Sequence, residues 1–180
     1  MYHISIHSTT IGVWGFRKIK RLSPPEIFDL LKKNHPEVVL QIINAKFVGG
    51  LDHVRKIAYQ VLLDIQKKKL LVQKEDLHLL MKMTCQDQID QAIKVGGLAG
   101  SIDVVVIGLG KKRDVDDVSL TLNKLFGKDS NEVILLVPAR QKFLMSFHNI
   151  PEHLILSLEK RGRDITDILV EKAALLCLRN

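Results

Sequence analysis

The chain of 180 residues carries 27 lysines and arginines against 20 aspartates and glutamates, a net charge of +7, and 46% of it is hydrophobic. That balance predicts one globular domain over 1–180, with a basic field suited to nucleic acid or an acidic protein surface. Two cysteines exclude a disulfide framework, and no basic-then-apolar leader or apolar run of membrane-spanning length stands in the sequence, so a cytoplasmic protein without membrane partners is the expectation.

Tyr2, Ile4 and Ile6 alternate with polar residues and predict a strand, with its partner over 11–19 around Gly12 and Gly15. Trp14 and Phe16 lie beside Arg17, Lys18, Lys20 and Arg21. Such interleaving suits single-stranded nucleic acid, whereas two aromatics two residues apart also share one strand face and pack in a core. Ser23, the two prolines after it and Glu26 have the form of a helix start, and the Asn34-His35-Pro36 stretch stops that helix.

A strand over 37–43 follows and leads to Gly49-Gly50. Beyond the glycines, Leu51, Val54, Ile57, Ala58, Val61, Leu62 and Ile65 recur at the helical period. The opposite face carries His53, Arg55, Lys56, Gln60 and Lys67, and a glycine pair can bring backbone N–H groups close to an anion. A merely solvated face has the same pattern. Leu77, Leu79 and Met81 predict a strand over 77–81, and Thr84 with Asp87 resembles a capping box opening a helix through Ile89, Ala92 and Ile93.

The apolar run 103–108 predicts a central strand covered on both faces. The Gly108-Leu109-Gly110-Lys111-Lys112 stretch after it lacks the spacing and the hydroxyl residue of a phosphate loop and reads as a glycine turn. Val115, Val118, Leu122 and Leu125 mark a helix, 133–137 a short strand, 141–147 a short helix, and Pro151-Glu152 another helix start. Asp164 caps a final helix with little polar surface, which predicts burial on more than one side. Its larger residues, Ile165, Ile168, Leu169 and Leu176 with Lys172, form the expected outward patch, and its small residues face the protein's own core. The elements together predict an α+β fold, a small mixed β-sheet flanked by helices. No nucleophile elbow, metal-ligand spacing or dinucleotide fingerprint is present, so no catalytic residue, metal or cofactor is assigned.

Asn44-Ala45, Val48-Gly49-Gly50, His53 and Ala58, followed by the Gln88-Ile89-Asp90-Gln91-Ala92-Ile93 block and Gly96-Gly97-Leu98, resemble the signature of the kinase-binding small subunit of the KEOPS complex, the TPRKB family, in its archaeal form. With the C-terminal helix, the resemblance covers most of the chain. It implies a non-catalytic subunit of the assembly that makes threonylcarbamoyladenosine in tRNA. Such a subunit binds the kinase/ATPase subunit directly and other subunits through it, and archaeal members capture the 3′ CCA end of tRNA. The residues assigned to tRNA are Lys46, Gly49, Gly50, His53 and Arg55, with Arg17 and Lys18. Those assigned to the kinase are Ile165, Ile168, Leu169, Lys172 and Leu176. A basic adaptor binding only the kinase, or an enzyme using the Gly108 loop for a nucleotide, are the competing readings. Asp87 stands where many members carry arginine, and Leu71-Val72 replaces a more polar stretch, so contacts made by those side chains do not carry over.

Overall fold

The computed structural model describes residues 1–6, 8–17, 24–98 and 103–178. Four strands, β1 (Tyr2–Ile6), β2 (Thr9–Phe16), β3 (Val39–Asn44) and β4 (Val104–Gly110), form one sheet in the order β1-β2-β4-β3. The expected α+β class is observed, with every strand pair antiparallel rather than mixed. The helices are α1 (Pro24–Asn34), α2 (Leu51–Gln66), α3 (Glu75–Thr84), α4 (Ile89–Gly96), α5 (Lys112–Phe126), α6 (Pro138–Phe147), α7 (Glu152–Glu159) and α8 (Ile165–Leu176).

The pleat sends alternate side chains of each strand to opposite layers. Trp14, Phe16, Leu40, Ile42, Val104 and Val106 pack with Ile27 and Leu31 of α1 and Val115, Val118 and Leu122 of α5. Ile11, Val13, Ile43, Val105, Ile107 and Leu109 pack on the other face with α2, α3 and Ala173 of α8. Both faces of β4 are therefore covered, which accounts for its unbroken apolar run. Trp14 is fully buried, and Gly12 and Gly108 make room for its indole: a Cβ at Gly12 would come within 2.2 Å of the ring, and one at Gly108 within 3.1 Å. Neither Trp14 nor Phe16 can stack on a base.

Three local expectations are corrected. Residues 77–81 belong to α3, whose side chains from His78 to Thr84 are all buried; a helix enclosed on every side carries no single polar face, so its spacing mimics a strand. Residues 133–137 form no strand: a 3-10 turn, Asn131–Val133, ends at the first of them and the rest lead irregularly to α6 at Pro138. Thr84 ends α3, donating its hydroxyl to the Leu80 carbonyl at 2.8 Å, while α4 begins after Gln88 with no side-chain cap, so no Thr84–Asp87 box forms. The Ser23 cap lies outside the described residues. Asp164 does cap α8, in a full box with Asp167.

The topology gives the molecule two distinct ends. β3 runs from the first to the second, where β2 also finishes and α2 begins; α2 and β4 run back, and α3 and α5 start from the first end.

Candidate functional site

At the second end the sequence motif becomes a tight junction. Asn44 closes β3 and its Oδ1 accepts the Lys46 backbone N–H at 3.0 Å, holding the 3-10 turn Ala45–Phe47. The Gly49 N–H then donates to His53 Nδ1 at 3.0 Å, and Thr166 of α8 donates its hydroxyl to the Gly49 carbonyl at 3.3 Å. Gly50 opens α2 at φ 99°, in the region that favours glycine. A side chain on Gly49 would meet Leu169 at 3.2 Å, so the terminal helix lies directly over the glycine pair.

This geometry changes the meaning of the expected anion cradle. Both glycines are buried, the Gly49 N–H is already used, and Leu136 lies over Gly50. His53 is fully buried. Because its Nδ1 accepts a backbone N–H, the ring proton is assigned to Nε2, which has no partner among the described residues. Burial, reinforced by the nearby His148, pushes its pKa down from 6.5 to about 3. His148, whose Nε2 is likewise buried and unpartnered, is pushed down to about 4 by burial and then by Lys172. Gly49, Gly50 and His53, the expected ligand-contacting residues, are buried and together pin β3, α2 and α8.

Of the remaining residues assigned to tRNA, Lys46 is exposed, with its ammonium 6.0 Å from the Phe143 ring centroid. Arg55 is exposed and donates Nε to Asp52 at 2.9 Å; Arg17 pairs with Glu132 at 2.6 Å. Lys18 lies outside the described residues. The fold brings Arg17 and Lys46 to the same end of the sheet.

The kinase-facing set is also corrected. Ile165, Leu169 and Leu176 are buried in the protein's own core, and Ile168 and Lys172 are half-buried. The reason is volume: Ile165 and Leu169 fill a pocket with Leu144, Ile150 and Ile155 of the 138–159 segment, a gap too large for alanine. α8 is held along α2 by Lys56–Asp167 at 2.9 Å and by the Gln60 amide on the Val170 carbonyl at 3.0 Å, and to the end of α3 by Cys85 donating to the Leu169 carbonyl at 3.3 Å. Burial raises the Cys85 pKa to about 12, so that thiol stays protonated. The outward residues are instead Glu171, Ala174, Leu175 and Leu178, the two leucines 49% and 79% exposed.

Sequence reading missed a buried polar network beneath these helices. Lys82, 1% exposed, places Nζ 3.0 Å from Asp64 Oδ2, and His78 Nε2 lies 3.1 Å from the same oxygen. The Leu71 N–H donates to His78 Nδ1 at 3.1 Å, and the Cys177 thiol reaches Asp64 at 3.5 Å. Burial lowers the His78 pKa and Asp64 opposes that shift. The i, i+4 spacing of His78 and Lys82 was the available signal, hidden once 77–81 was read as a strand. Among the described residues, no group of three or more His, Cys, Asp or Glu could hold a metal, and no helix is long and apolar enough to cross a membrane.

The two buried histidines make stability depend on pH. In the unfolded chain each takes up a proton near pH 6.5, whereas the folded chain resists until about pH 3 for His53 and pH 4 for His148. The unfolded state therefore binds more protons across that window, and stability falls as pH drops through it, by up to about 1.4 kcal/mol per pH unit per histidine. Urea midpoints at pH 7, 5 and 4 check this, and His53→Gln, which keeps an acceptor for Gly49, is expected to flatten the dependence.

A scan against protein-family models and a search of curated proteins each returned no match.

Proposed function

We propose that this chain is a non-catalytic KEOPS-type subunit that binds the small kinase/ATPase subunit, and other subunits through it, and recruits tRNA by its 3′ CCA end. The motif resemblance motivates the reading. The structural observation that supports it is the outer strip of α8. This helix is capped at its start and held to α2 and α3 along its length, yet it leaves Leu175 exposed, and Leu178 is exposed in the turn that follows it. Tyr59, 42% exposed, stands on the adjoining α2. Large apolar side chains on a rigid surface suit a protein partner better than solvent. The docking residues in this reading are Leu175 and Leu178, in place of the buried Ile165, Leu169 and Leu176.

One observation supports a second reading, a kinase-only adaptor: the glycine pair is closed, and Arg17 and Arg55 already hold carboxylates, which leaves Lys46, among the described residues of that group, as the exposed cation without an acidic partner. Titration of the isolated chain with intact tRNA and with tRNA trimmed of its CCA end separates the two. End capture predicts a loss of about tenfold or more on trimming, the scale of a stacked base. Equal affinities would remove end capture and leave the adaptor.

A further inference from the structure

We propose that the first end of the fold, opposite the Gly49–His53 junction, is a binding surface for the phosphodiester backbone of a nucleic-acid duplex. The topology collects basic segments there that are far apart in sequence. Lys33 ends α1, the lysine triplet 67–69 follows the end of α2, Lys74 precedes α3, and the basic triplet 111–113 spans the end of β4 and the start of α5. Their convergence follows from the strand register, which sets Gly110 against Thr10 and Leu109 against Val39, and from Gly110 lying against Val38 and Glu37. Val38 and Glu37 in turn line a cleft of about 510 Å³ with Lys32 and Lys74.

Lys32 holds Asp76 at 2.5 Å; each of the other cations is exposed and has no acidic partner among the described residues. The free acids nearby, Glu37, Glu75, Asp114 and Asp117, are fewer. Two exposed large apolar side chains border these segments: Leu30, three residues before Lys33, and Leu178, next to Cys177, whose thiol reaches the Lys69 carbonyl at 3.8 Å. A protein interface draws its affinity from desolvated apolar and aromatic anchors, and a membrane surface from inserted ones. A broad array of unpaired basic side chains that far outnumbers the two bordering leucines suits a polyanion whose charges are fixed and regularly spaced, and neutralising them releases condensed counterions. Backbone contacts of this kind read shape and charge rather than bases. The inference does not rest on the accessory-subunit reading, because none of its cations is used in that reading and it concerns a different part of the nucleic acid.

The test uses the full chain and blunt duplexes of about 16 base pairs, in RNA and in DNA, which span a double-stranded site and present no single-stranded end. Affinity is measured from about 50 to 200 mM salt. Lys68→Glu/Lys74→Glu/Lys112→Glu is compared with a control of equal charge change away from this end, Lys94→Glu/Lys142→Glu/Lys160→Glu, with melting temperatures confirming both folds. The proposal expects the first variant to bind RNA duplex at least about tenfold more weakly and its log–log salt slope to flatten by about 2.7, three contacts at 0.9 each, while the control stays within about twofold. Similar binding of the two duplexes identifies backbone charge as the ligand; tighter binding of RNA identifies the A-form backbone. Equal losses in both variants, or duplex binding kept by the first, would overturn the proposal. Binding to phosphatidylserine-containing vesicles through this end, without duplex binding, would overturn it in favour of a membrane surface.

Discussion

Asp64→Ala is expected to destabilise the protein by about 3–5 kcal/mol, the scale of a buried charge deprived of its partner. The Lys82 ammonium is almost fully buried and has Asp64 at 3.0 Å, while His78 shares the same oxygen. Removing the carboxylate leaves Lys82 charged in a low-dielectric interior or forces it to shed its proton, and also leaves the His78 N–H without an acceptor. For a chain of this length, each kcal/mol moves the melting temperature by about 2–4 °C, so a fall of roughly 10 °C or more is expected. The paired variant Asp64→Leu/Lys82→Met removes both charges at similar volume and is expected to recover much of the loss. If the single variant melts like the unaltered protein, the network is not buried as described.

The second large effect belongs to α8. Leu169→Arg forces a guanidinium into the pocket between α8 and the 138–159 segment, beside Gly49, and is expected to cost about 3 kcal/mol or more: lost apolar burial of roughly 2 kcal/mol, plus desolvation of the charge. Leu175→Arg, six residues further on the exposed side, is expected to leave the melting temperature within about 1–2 °C, as surface substitutions do. The contrast fixes which face of the terminal helix is core. A Leu169→Arg protein that melts normally would return that face to the surface.

Much of the architecture was legible in the sequence. The period of α2, the Asp164 cap and the two-faced burial of β4 each follow from local pattern, and the buried placement of Trp14 and Phe16 from strand alternation. The errors at α3 and α8 share one physical origin. α3 and α8 touch neighbours on several sides, and an enclosed helix loses the polar stripe that would distinguish core from surface. Side-chain size then misled, since Ala173 and Ala174 stand side by side with opposite burial. At the candidate site, His53 and the glycines were recognisable as a unit, but only the hydrogen bonds identify them as a structural pin rather than an open cradle. The basic end was invisible for a different reason: its lysines are scattered through the chain and meet only through topology.

The most direct test of the accessory-subunit account is calorimetric titration of the purified chain with the small kinase/ATPase subunit of a KEOPS assembly, with Leu175→Arg alongside. The account predicts saturable binding by the unaltered chain and a loss of at least about 30-fold in the variant, the equivalent of one buried leucine anchor, with the fold retained. No binding by the unaltered chain, or undiminished binding by a folded Leu175→Arg protein, would contradict it.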